Sequence, residues 1–130
     1  MVSIIIIAHG TLGESLIQCA THVLGGRPER LVEVPAIGRA DPDQLLAQTR
    51  RMIEKLDDGS GVLLLTDLIG GTPSNVATRA LIPGRVEGIA GVSLPMLLRT
   101  LNYRELPLAS VVSKAESGAH QGIHHIRPES

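Results

Sequence analysis

The chain has 130 residues, 43% of them hydrophobic, with a formal net charge of −1; that suits one domain (residues 1–130) with a real core and argues against disorder and against a nucleic-acid surface. One Tyr and no Trp or Phe leave no aromatic platform on which bases or sugars would stack. No apolar run reaches the roughly 18 residues of a membrane helix, the N-terminus has no signal-peptide pattern, and the single Cys19 has no internal disulfide partner, so a cytoplasmic protein, not embedded in a membrane, is expected.

Val2 to Ala8 is apolar without period-2 alternation, the pattern of a strand covered on both faces at the centre of a parallel sheet. It ends in His9-Gly10, and the carboxyl ends of such strands are where open α/β sheets place their ligands. Leu12, Leu16, Ala20, Val23 and Leu24 then recur at helical spacing, and Gly25-Gly26 stops that helix. Within it Cys19 reads as a small buried residue and His22 as a surface or helix-end residue. Leu31 to Ala36 is a second short strand. Asp41-Pro42 supplies an N-cap and a first-turn Pro for a long helix whose inward stripe is Leu45, Leu46, Thr49, Met52, Ile53 and Leu56.

Val62 to Thr66 is a third doubly covered strand, and it runs into Asp67-Leu68-Ile69-Gly70-Gly71-Thr72-Pro73. Here Thr72 reads as an N-cap and Pro73 as the first helical residue, with Val76, Ala77, Ala80 and Leu81 carrying the helix to Pro83-Gly84. Val86 to Val92 is a fourth strand. Ser93 caps a helix through Leu94, Leu97, Leu98 and Leu101, and Leu108, Val111, Val112, Ala115 and Ala119 mark another. The tail, Gly122 to Arg127, has strand character. Alternating strands and helices predict an α/β fold with an open, mostly parallel sheet between helices.

Right-handed crossovers place the second strand on one side of the first and the third on the other, giving the order 2-1-3-4. The switch point then lies between the first and third strands, and the residues leaving them are His9 and Asp67. A carboxylate that accepts the Nδ1 proton fixes the tautomer and leaves Nε2 with a free lone pair. The Gly70-Gly71-Thr72 segment adds backbone N–H groups at a helix N-terminus, which suits a phosphate; Thr72 adds a hydroxyl if the cap does not consume it. The expected site is therefore His9 as phosphoryl acceptor, Asp67 as its partner, and Gly70, Gly71 and Thr72 around the phosphate, with no metal and no cofactor.

These residues carry a resemblance. Ile4 to Gly10, Gly61 to Asn75 with its Asp-x-x-Gly-Gly-Thr-Pro run, and Ala90 to Leu97 with Leu-Pro-Met resemble the mannose-family IIA component of the bacterial phosphotransferase system over nearly the whole chain. The resemblance implies a phosphohistidine at His9, an acidic hydrogen-bonding partner in Asp67, and a phosphate loop at Gly70, Gly71 and Thr72. It implies a phosphohistidine carrier protein as donor, a IIB protein as acceptor on the way to sugar, and a homodimer in which the C-terminal strand adds antiparallel to the partner's sheet. Two departures stand out. Many relatives carry a IIB domain after a linker, so here IIB is expected as a separate protein, or else the role is regulatory. Ile69 also stands where some relatives have Trp.

Two other readings compete. Small tetrapyrrole metal chelatases also begin with an apolar strand ending in His-Gly, but they need a second ligand cluster. Only His120, His124 and His125 are available for it, and Asp-x-x-Gly-Gly-Thr-Pro has no task there. A regulatory module that keeps the fold without serving transport is the second.

Overall fold

The computed structural model describes residues 1–129. Its elements are β1 (Ser3–His9), α1 (Leu12–Leu24), β2 (Leu31–Ala36), α2 (Pro42–Leu56), β3 (Val62–Thr66), α3 (Thr72–Ala80), β4 (Val86–Ala90), α4 (Leu94–Tyr103) and α5 (Leu108–Gln121). The sheet is parallel throughout, in the order β2-β1-β3-β4 expected from the crossovers. As in other doubly covered parallel sheets, the central strands are apolar on both faces. Ile4 and Ile6 with Leu63 and Leu65 pack under α1, α4 and α5, whereas Ile5 and Ile7 with Val62 and Leu64 pack under α2 and α3. Pro35 is tolerated because β2 is an edge strand.

Several local expectations need correction. The inward face of α1 is Gly13, Ile17 and Ala20, while Leu12, Val23 and Leu24 are exposed. The cause is close packing. A Cβ on Gly13 would meet the Glu33 carboxylate at 2.8 Å, and that carboxylate accepts the Glu14 amide at 3.0 Å, taking over the capping that the Thr11 side chain does not provide. The same rotation leaves Cys19 exposed rather than buried. β4 stops at Ala90, because the amides of Gly91 and Val92 both turn to the Thr66 carbonyl at 2.9 Å. Asp41 and Ser93 do cap α2 and α4, accepting from the amides of Asp43 and Met96.

Residues 123–129 form no strand in the single chain, and Ile123 and Ile126 are 81% and 90% exposed. In the single chain the expected strand does not pair with the sheet. At the opposite end of the sheet, buried Arg104 donates to the carbonyls of Val2, Glu29 and Arg30 at 2.7–3.0 Å. It thereby ties the starts of β1 and β2 together and holds Arg30 in a left-handed conformation (φ 51°). Among the described residues no helix is long and apolar enough to cross a membrane.

Candidate functional site

His9 closes β1 and Asp67 follows β3, its neighbour in the sheet, so parallel pairing alone delivers both side chains to one crevice. The His9 Nδ1 lies 2.8 Å from Asp67 Oδ2, and the same oxygen accepts the His9 amide at 3.0 Å. Oδ1 accepts the Leu68 amide at 3.1 Å. An ionised carboxylate only accepts, so Nδ1 carries the proton in this contact, and in the neutral ring it is Nε2 that has the lone pair. Burial pushes the Asp67 carboxyl up, but the hydrogen bonds from the His9 amide and ring outweigh it and hold the group below the usual carboxylate value. The Asp67 side chain is 11% exposed and the His9 ring 52%. The anchor is thus sheltered while the reactive edge faces outward.

The glycine turn sits against that edge. Gly70 and Gly71 have φ of 87° and 90°, values that disfavour a side chain. A Cβ on Gly71 would stand 3.5 Å from His9 Cε1 and 3.6 Å from Nε2, whereas one on Gly70 would meet nothing within 4 Å. Gly71, not Thr72, is the N-cap of α3, and no side-chain hydrogen bond closes that cap. Thr72 is instead the first helical residue and Pro73 the second. Its hydroxyl is therefore not spent on capping, and among the described residues no protein acceptor takes the amides of Gly70, Gly71, Thr72 or Ser74. Free amides at a helix N-terminus beside a nucleophilic nitrogen make a place for an anion.

A family model described as PTS system fructose IIA component matches residues 3–115. The chain belongs to that family. This IIA-family chain is 34% identical over 105 residues to the PTS system mannose-specific EIIAB component of Escherichia coli. The match covers 80% of this chain and 32% of that protein, so the chain spans about a third of the relative's length. It is 29% identical over 125 residues to the PTS system fructose-specific EIIA component of Bacillus subtilis, covering 95% of this chain and 85% of the relative. Among solved structures, EIIA from Streptococcus agalactiae superposes with a TM-score of 0.85 at 26% identity, over 96% of this chain and 97% of that one. The mannose/sorbose-specific IIA subunit from Enterococcus faecalis has a TM-score of 0.88 at 19% identity, over 99% and 97%, a likeness of fold.

The other histidines do not join this IIA site. His22 is on the exposed side of α1, His120 is in the last turn of α5, and His124 and His125 are in the exposed tail. Among the described residues no three His, Cys, Asp or Glu side chains cluster as metal ligands would, so the chelatase reading gains no support. Ser74 was not anticipated. Its buried hydroxyl donates to the Gly71 carbonyl at 3.3 Å, bracing the turn beside His9; a Ser after Thr-Pro carries no sequence signal for that task.

Proposed function

We propose that this IIA-family chain is a cytoplasmic phosphoryl carrier that accepts a phosphoryl group on His9 Nε2 from a phosphohistidine carrier protein and passes it to a IIB component. The observation that carries the reading is the 2.8 Å contact between His9 Nδ1 and Asp67, with Nε2 left facing Gly71. In the step, the Nε2 lone pair attacks phosphorus, the new N–P bond forms, and the N–P bond to the donor imidazole breaks with its electron pair returning to the donor nitrogen. The His9 ring becomes positive, its Nδ1 proton stays on the hydrogen bond to Asp67, and the carboxylate balances the charge. The free amides of Gly70, Gly71 and Thr72 receive the phosphoryl oxygens, with the Thr72 hydroxyl available beside them. Return transfer to IIB is the same displacement reversed.

The test is phosphorylation by phosphoenolpyruvate, the first enzyme of the system and the carrier protein, followed by mapping of the acid-labile phosphate. Label on His9, absent from His9→Ala, is expected; label on His22, His120, His124 or His125 with none on His9 overturns the reading. A purely regulatory role remains the alternative. Transfer from the phosphorylated chain to a IIB protein distinguishes the two.

The reading includes a homodimer formed by exchange of the C-terminal segment. Two observations support it. Apart from an isolated antiparallel bridge between Ile82 and Val86, the outer edge of β4 has no strand partner among the described residues, and open edges are normally covered. The tail carries two isoleucines that its own chain leaves in solvent, and exchange of identical segments closes a two-fold assembly. Light scattering should give a dimer for the full chain and a monomer after deletion of residues 122–130. A full-length monomer refutes the exchange.

A further inference from the structure

Ser74 is the third residue of α3, 4% exposed, and its hydroxyl donates to the Gly71 carbonyl at 3.3 Å. The same carbonyl accepts the Asn75 amide at 3.1 Å. Gly71 is the N-cap and has no side chain with which to brace the turn. Among the described residues no other side chain hydrogen-bonds to the backbone of Gly70, Gly71 or Thr72.

The geometry of the peptide unit extends this contact to the site. The Gly71 carbonyl and the Thr72 N–H belong to one planar trans unit, in which they point in opposite directions. The carbonyl is turned along α3 toward Ser74 and Asn75. The Thr72 N–H is therefore turned out of the helix N-terminus, the end that stands against His9, where the Cβ position of Gly71 is 3.6 Å from Nε2. Among the described residues no protein acceptor takes that amide. A group that fixes the carbonyl thus aims the amide. Hydrogen bonds at the two ends of one peptide also polarise one another. An anion that accepts the Thr72 N–H makes the Gly71 oxygen more negative and strengthens its bond to the Ser74 hydroxyl. The 3.3 Å separation is long for an O–H···O bond, as is common for contacts that tighten only when a site fills. We propose that Ser74 is a positioning residue for phosphoryl transfer: from the buried side of the Gly71–Thr72 peptide it aims the Thr72 amide at the group carried on His9. This rests on the reading of His9 as phosphoryl acceptor.

Ser74→Ala removes the hydroxyl and Ser74→Thr keeps it. Each full-length variant and the wild type is phosphorylated in two ways, by the carrier protein and by phosphoramidate, a small donor that phosphorylates histidine directly. Label on His9 is followed by mass, folding by thermal melting, and the Thr72 amide proton by NMR before and after phosphorylation. In the wild type that proton should move downfield when His9 is phosphorylated, as a proton donated to a phosphoryl oxygen does. Ser74→Ala should keep a cooperative melt and lose about half or more of that displacement. It should acquire label roughly threefold to tenfold more slowly with either donor, the scale of one hydrogen bond, with kcat rather than KM for the carrier protein affected. Ser74→Thr should stay within about twofold of wild type. A wild-type Thr72 amide that does not move overturns the proposal whether or not either variant folds. So does a Ser74→Ala protein with wild-type rates or an undiminished displacement, a folded Ser74→Thr protein as slow as Ser74→Ala, or a rate loss that only follows loss of folding. If the carrier protein leaves wild-type His9 unlabelled, the proposed function falls, while the phosphoramidate arm still decides the role of Ser74.

Discussion

Replacing Gly71 with Ala should separate what the glycine turn does for folding from what it does for chemistry. The backbone at Gly71 has φ 90° and ψ 173°, a region essentially reserved for glycine, and forcing a side chain into it costs on the order of 1–3 kcal/mol. The added Cβ does not clash with the ring, because 3.5 and 3.6 Å from Cε1 and Nε2 is ordinary contact. It does occupy the space in front of Nε2. A reacting atom must come to about 3–3.5 Å of its nucleophile in line with the lone pair, and a misplacement of about 1 Å can cost roughly a hundredfold in rate. Gly70→Ala is the matched comparison: φ there is 87°, but its Cβ meets nothing within 4 Å. Both variants should lose a similar 1–3 kcal/mol by urea unfolding. In single-turnover phosphorylation of His9 by the carrier protein, Gly71→Ala should be slower than Gly70→Ala by roughly tenfold to a hundredfold. Equal rates in the two variants would refute the occlusion argument and leave the turn as a helix start only.

Asp67→Ala should slow phosphorylation by roughly tenfold to several-hundredfold, the scale on which groups that orient a reacting His contribute, with native circular dichroism; a wild-type rate contradicts the assignment. For acid stability, Asp57 matters together with Asp67. Burial pushes the Asp57 carboxyl up, but the amides of Gly59 and Gly61 and the Arg85 guanidinium overcome this and hold it low. A carboxylate lowered on folding adds stability that is complete above its unfolded value near ~4 and is lost as pH falls through the lower folded value. Asp57→Asn should therefore shift the urea midpoint downward at about pH 6 and by much less at about pH 3, and an equal shift at both refutes the linkage. Arg104→Met should destabilise by roughly 1–3 kcal/mol, because the carbonyls of Val2, Glu29 and Arg30 lose a charged donor; an unchanged midpoint shows that water replaces the guanidinium.

The architecture was legible because the strands are doubly covered. Runs such as Ile4 to Ile7 and Leu63 to Leu65 have no polar face to present, and handedness then permits few arrangements. The meeting of His9 and Asp67 was legible for the same reason, since both leave neighbouring strands at a switch point. Three features depended on geometry that residue types do not encode. The inward face of α1 was legible only in part: Ala20 and Leu16 do pack on the core, whereas Leu12, Val23 and Leu24 stay exposed and a close approach to Glu33 selects Gly13. Thr72 was taken as a cap because Thr-Pro fits that pattern, yet the positive φ of Gly71 lets the glycine end the loop and frees the threonine. The tail reads as a strand because its composition is that of one, but a strand also needs an edge, and the single chain does not bring one to it.

The disposition of Asp67 and His9 fits a shuttle better than a one-way catalyst. A carrier must accept and release the same group, so the phosphorylated and free states cannot differ greatly in energy. A fully buried imidazole would resist the positive charge it gains on phosphorylation, and a fully exposed one would have no fixed tautomer. Here the carboxylate is sheltered and already ionised in the free state, so no proton need be lost to ready the ring. The glycine turn supplies neutral donors rather than cations, since no Lys or Arg lies between Asp67 and Asn75. Neutral amides bind a phosphoryl group more weakly than guanidinium forks do. On the proposed reading, a loop of amides orients the group without trapping it, which is the condition for handing it on.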